Sequence, residues 1–160
     1  MNYWLFTVTE KKVDGEWLKA EDIFNQRAID KFWGLGERTP NRRNIKWGDR
    51  VVFYVGWPLM IFAATATLAS DSFSLSDEQK DMYDHGKTFY RADYGVKLEN
   101  IEIFDSPRLV KELVPSLKFI ENNDNWNTYF QGGIRQLSEE DFLTVLGWRS
   151  MSFTESSKAD

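Results

Sequence analysis

The chain has no cysteine and a single histidine, His85. The first absence excludes a disulfide framework, a thiolate zinc site and a cysteine nucleophile, and it suits a reducing compartment. The second excludes a metal site built on several imidazoles. Any Ser-His-Asp triad would have only His85, in the polar stretch DMYDHGK, to draw on. No apolar run approaches the ~20 residues needed to span a bilayer. The first residues read as strand, with no basic region leading into a long apolar run, so no signal peptide is expected and the cytoplasm is the expected compartment. Also missing are a Walker-type phosphate loop, a GxGxxG after a strand, a GxSxG elbow and an HxxxH pair. Carboxylates are plentiful, yet the groups DEQKD and SEEDF stand at presumed helix starts, where compensation of the helix dipole accounts for them. The chain is therefore expected not to be an enzyme and to need no cofactor or metal.

Net positive charge is also absent, with 20 Lys and Arg against 25 Asp and Glu. The formal net charge is −5, whereas proteins that grip long nucleic acids mainly through phosphates are usually basic. Broad, non-specific nucleic-acid binding is thereby disfavoured, but a local basic patch beside one well-made pocket is not. The 160 residues, 42% apolar and 28% charged, suffice for one domain with a sizeable core. What the chain has in excess is aromatic residues, 16% with seven Trp, more than packing usually demands of so small a domain.

Period and punctuation predict short strands at 3–9, 48–56, 59–70, 88–98, 100–104 and 134–137. A helix is expected over 20–32. A second, over 76–86, has the capping-box spacing Ser76 to Gln79. A third is expected over 106–114 with Ser106 as cap and Pro107 at its first position, and a fourth over 138–147 capped by Ser138 and stopped by Gly147. Segments 34–44 and 122–133 read as loops. Strands outnumber helices without a regular βαβ rhythm, which predicts an α+β fold: a small, twisted, mostly antiparallel β-barrel with flanking helices.

Trp4, Phe6, Phe53, Phe62, Phe104, Phe119 and Phe142 fall inside predicted strands or helices and read as core. Trp33, Trp126 and the pair Tyr129/Phe130 fall in predicted loops beside Gly, Asn, Thr and Gln. There a ring is either a plug at the loop base or a surface for something flat. Two or three such rings can sandwich a nucleobase flipped out of its strand. The loop after Trp33, ERTPNRRNIK, gathers Arg38, Arg42, Arg43 and Lys46, either a solvated charged loop or a patch for a few phosphates.

Taken in order, YWLF, the Trp-Gly pair after the first helix, WGDRVVFYV and IFAATATL resemble the EVE domain. The later LKFIENNDNWNTYFQGGIRQLSEEDF is similar to the C-terminal half of stand-alone archaeal and bacterial EVE-domain proteins. These stretches span most of residues 3–146, so an EVE domain is expected over 1–148, followed by a polar, disordered tail over 149–160. EVE domains are PUA-like and sisters of the YTH domains, which read N6-methyladenosine in RNA. The resemblance implies a PUA-like barrel that binds RNA or DNA carrying a modified, methylated base, without chemistry and as a monomer. It further implies an aromatic cage in which Trp33 stacks on the base, Gly34 lines the pocket with its backbone, and Thr7 and Thr9 meet the base edge. Tyr83 or Phe89 would supply a second wall, with Tyr129 and Phe130 at the rim. The first strand departs from the family, reading TVTE where many relatives have KSEP-like residues. Gln131 stands where many relatives carry a phosphate-contacting Arg, which leaves that role to Arg135 or to Arg42 and Arg43. Two other classes remain open: an enzyme acting on a free nucleoside or nucleotide, with Asp93, Glu37 or His85 as base, and a protein-interaction module using Trp126 and Trp148.

Overall fold

The computed structural model describes residues 1–147; the tail expected at 149–160, and Trp148, lie outside them. Strand β1 (Tyr3–Val8) leads into a two-stranded ribbon, β2 (Lys11–Val13) and β3 (Glu16–Leu18), and then helix α1 (Ala20–Asp30). Strands β4 (Phe32–Leu35), β5 (Arg50–Val55), β6 (Ile61–Leu68) and β7 (Phe73–Ser74) follow, then α2 (Asp77–Tyr83) and the long β8 (Tyr94–Leu109). A short α3 (Val110–Leu113) and 3-10 segments at Val114–Ser116 and Asn123–Phe130 precede β9 (Ile134–Leu137) and α4 (Glu139–Leu146).

The main sheet runs β4-β8-β6-β5-β1-β9, with β7 also on β8. Its pairings are antiparallel except β1 with β5, which run parallel. In a flat sheet β4 and β1 would stand about 19 Å apart, at ~4.8 Å per strand. Yet the Trp33 ring on β4 lies 6.0 Å from that of Phe6 on β1, so the sheet curls into a half-barrel, the PUA-like α+β architecture. Both faces of its middle strands are covered, which is why β1 and β5 read as almost unbroken apolar runs. Trp4, Phe6, Val51, Phe53 and Val55 turn into the concave core with α1, while Leu5, Val52 and Tyr54 face a second core under α4.

Local chemistry fixes the corners. The Gly-Asp turn before β5 is locked by Asp49, whose buried carboxylate accepts from the Trp4 indole (2.8 Å) and from the backbone of Asn2 (2.9 Å) and Lys46 (3.0 Å). Helix α1 stops at Lys31, which turns left-handed (φ 53°), and β4 starts at once. The capping box of α2 forms as the spacing predicts, and Ser138 caps α4.

Three expectations need correcting. Trp33 and Gly34 lie on β4, not in a loop, because β4 pairs with β8 through Trp33↔Val96 and Gly34↔Gly95. Ser106 and Pro107 do not open a helix. Strand β8 continues to Leu109 because β6 pairs with it there, and Pro107 sits where the register slips between Ala64↔Ile103 and Phe62↔Arg108, so no ladder bond needs its missing N–H. Residues 88–93 form no strand, and β8 starts at Tyr94.

Candidate functional site

Inside the curl an open cavity of about 480 Å³ lies between the C-terminal end of β1 (Thr7, Val8) with Thr9 just beyond it, β4 (Trp33, Gly34, Leu35), residues 90–93 and the turn after Phe130. Its size falls within the ~300–1,000 Å³ typical of small-ligand pockets. The glycine turn shapes one side: Gly132 and Gly133 adopt φ 92° and 88°, a region closed to most side chains, and the Gly133 carbonyl takes the Thr7 N–H at 2.8 Å.

The cavity gathers Thr7, Thr9, Trp33, Gly34, Phe130 and Gln131 from the residues singled out in the sequence. Trp33 differs from the open platform expected of it. Its ring packs against Phe53 (4.8 Å), Phe6 (6.0 Å) and Phe24 (6.4 Å), and only 4% of the residue is exposed. The indole is a wall set in the concave core, with a small part of its surface toward the cavity. Phe130 is likewise buried, against Tyr54 and Trp126. The half-buried Tyr90, which sequence reasoning passed over in favour of Tyr83 and Phe89, also lines the cavity while packing against the concave core and Phe89.

Other candidates go elsewhere. Tyr83 stacks flat on Phe32, 3.7 Å between centroids, and Phe89 is buried against Tyr90 and His85. Tyr129 packs on Phe119, and its hydroxyl takes the Asn122 N–H. Arg135 donates to the Tyr129 carbonyl and lies over the Phe119 and Tyr129 rings, so its side chain is committed locally. Arg42 and Arg43 line a second, shallower hollow of about 450 Å³ with Glu37, Asn41 and Asn44, and Thr39 belongs to both hollows. Arg43 is exposed; the Arg42 guanidinium lies 3.8 Å over the Tyr94 ring.

The electrostatics of the main cavity are uneven. Arg91 is paired with Asp81 (2.7 Å) and Asp84 (2.8 Å), and Asp93 with Lys80 (3.6 Å). Burial raises the Asp84 carboxyl, but hydrogen bonds from Arg91 and the Lys87 and Gly86 backbone outweigh it and hold its pKa below the usual range. Lys11 lines the cavity with its ammonium 5.0 Å from the Tyr90 ring centre. Of the three candidate bases, Asp93 alone reaches this cavity; His85 pairs with Asp30 at 2.8 Å and Glu37 lines the other hollow. Among the described residues no three His, Asp or Glu side chains group to hold a metal ion, and no helix is long and apolar enough to cross a membrane.

A curled mixed sheet with outer helices and one cavity at the mouth of the curl defines a PUA-like domain. The EVE domain family model matches residues 2–148, and the chain belongs to that family. Among solved structures, human THYN1 in complex with 5-methylcytosine-containing DNA is similar at 16% identity, with 92% of this chain and 97% of that one covered and a TM-score of 0.60. Protein Atu2648 from Agrobacterium tumefaciens is 18% identical over 91% of this chain and 90% of its own, TM-score 0.56. The ASCH protein from Zymomonas mobilis is 10% identical over 91% and 94%, TM-score 0.55. These likenesses are of fold. No curated protein matches the chain.

Proposed function

We propose that this EVE domain binds nucleic acid without altering it, by taking one flipped, methylated base into the cavity between β1, β4 and residues 90–93. The observation that carries the reading is the cavity itself: single-ligand sized, walled by Trp33 and Tyr90 and rimmed by hydroxyls and an amide. The human THYN1 complex with DNA containing 5-methylcytosine supports it. In this reading Trp33 closes the back of the pocket with the small part of its surface that faces it, and the half-buried Tyr90 stands at its side. Thr7, Thr9 and the backbone at Gly34 meet the base edge, Phe130 and Gln131 form the rim, and Arg42 and Arg43 in the adjoining hollow hold a neighbouring phosphate. The chain works as a monomer in the cytoplasm. A lone carboxylate in the cavity, already paired with Lys80, gives an enzyme reading nothing further to build on.

Burying one methyl group adds about 0.8 kcal/mol, or roughly fourfold in affinity. Titration with strands that differ only in one central base, plain, methylated or absent, should therefore rank methylated above plain and plain above abasic. Equal affinity across all three would reject the pocket.

A further inference from the structure

One cation lies behind the cavity wall with no acid to answer it. Arg27 on α1 is fully buried, and no carboxylate pairs with it among the described residues. Its Nε donates to the Tyr90 hydroxyl at 3.2 Å and its Nη1 to the Tyr83 carbonyl at 3.4 Å, while Nη2 has no partner. Aromatic faces hold the guanidinium, with Tyr90 at 4.4 Å, Phe89 at 4.7 Å and Phe32 at 5.1 Å. It abuts the cavity wall: a Cβ on Gly34 would meet Arg27 Nη2 at 2.9 Å, Ala92 Cβ at 2.8 Å and the Tyr90 hydroxyl at 3.3 Å. Gly34, Tyr90 and Ala92 all line the cavity. Lys11, also without a carboxylate partner among the described residues, approaches the same Tyr90 ring.

A buried, uncompensated guanidinium is costly unless something draws on it. That buried guanidinium and the exposed Lys11 ammonium meet on one tyrosine in a chain whose net charge is −5. The Tyr90 hydroxyl accepts from Arg27, so its own hydrogen is left to donate, and no acceptor takes it among the described residues. A donor polarised by a cation behind it favours a strong, protruding acceptor.

We infer that Arg27, Tyr90 and Lys11 form a selector that tunes this cavity to a base bearing a carbonyl oxygen. Tyr90 donates to the carbonyl, Arg27 acts through Tyr90 as a positioning residue, and Lys11 adds to the positive field. Thymine, uracil, cytosine and its 5-methyl form, and guanine all carry such an oxygen. Adenine and N6-methyladenine do not; their acceptors are ring nitrogens, which do not protrude from the ring as a carbonyl oxygen does. The inference rests on the reading of the cavity as a base pocket.

The test uses the full chain and single strands identical except at one central position, which carries thymine, 5-methylcytosine, adenine, N6-methyladenine or no base. The expected result is that the natural protein binds the thymine and 5-methylcytosine strands about tenfold more tightly than either adenine strand, and that Tyr90→Phe removes most of that preference by weakening the thymine and 5-methylcytosine strands far more than the adenine strands. Tyr90→Phe also strips Arg27 Nε of its acceptor. The double variant Arg27→Met/Tyr90→Phe, which leaves no buried charge behind, should show the same loss of preference with the thermal midpoint retained. Equal affinity of the natural protein for thymine and adenine strands, or a Tyr90→Phe loss of equal size on every strand, overturns the selector and leaves the pocket standing. Equal binding of the abasic strand and all others overturns the pocket, and the selector with it.

Discussion

Asp141, in the first turn of α4, and Arg27, on α1, are both charged and almost wholly buried, but they are treated differently by their surroundings. The Asp141 carboxylate takes the backbone N–H groups of Lys118 (2.8 Å) and Phe119 (3.0 Å), one on each oxygen, and its own N–H is capped by Ser138. It ties α4 to the turn between the two 3-10 segments. Arg27 has one side-chain acceptor, one long backbone contact and an unpartnered nitrogen. Unpartnered buried nitrogens occur on both sides, Arg50 Nε beside the Phe142 ring of α4 as well as Arg27 Nη2, but it is Arg27 that abuts the cavity. What sets the α1 side apart is a fully buried charge, with one side-chain acceptor, placed directly beside the cavity.

This contrast can be broken by mutation. The largest effects should be equal on the two sides, since both are packed with rings: Trp33→Ala and Phe142→Ala should each cost about 3–5 kcal/mol in denaturant unfolding. A Trp33→Ala cost near zero would show that the indole is no part of the core. Next, Asp141→Ala should cost about 2–3 kcal/mol, because it orphans two backbone donors. Arg27→Met, by contrast, should stay within about 1 kcal/mol of the natural protein, a buried unpaired cation giving way to an apolar chain of similar reach. If Arg27→Met proves as costly as Asp141→Ala, the two charges do the same job and the contrast fails. Acid titration sharpens the picture near the cavity. Asp84 has a lowered pKa when folded, so its contribution is complete above its unfolded value, about 3.8, and is lost as pH falls through the folded value. The thermal midpoint should therefore drop more steeply below about pH 4 in the natural protein than in Asp84→Asn. The smallest effect belongs to Trp17, 60% exposed on the ribbon: Trp17→Ala should change stability by no more than about 0.5 kcal/mol.

Elements with a strong local signature were legible in the chain. The apolar runs of β1, β5 and β6, the Ser76–Gln79 box and the Ser138 cap each follow from their own residues, and the ordered set pointed to the EVE fold. Distant pairing decided the rest. Ser106-Pro107 has the form of a helix start, but β6 claims that stretch as strand. The β2–β3 ribbon was missed although Asp14-Gly15 carries the turn signal, with φ of 50° and 82°, because the flanking strands are three residues each and highly charged. In the site, Thr7, Thr9, Gly34 and Gln131 could be placed from order alone. Tyr90 could not, since it reads as one more aromatic in FYRADY until β4 closes against the residues beyond it. Trp33 was recognised as important, but its burial depends on Phe6 and Phe53, which only the curl brings near.

Strand β8 has a consequence for any attempt to divide the molecule. Its start, Tyr94 to Lys97, pairs with β4 and in part with β7 beside the cavity, the stretch from Leu98 to Leu109 pairs with β6, and its Arg108 caps the Thr144 and Val145 carbonyls at the end of α4. A single sixteen-residue span therefore belongs to both sides at once. A split reporter cut within it would leave neither fragment able to close its own barrel wall. A break at Asp14-Gly15, in the outlying ribbon, would leave every strand of the main sheet whole.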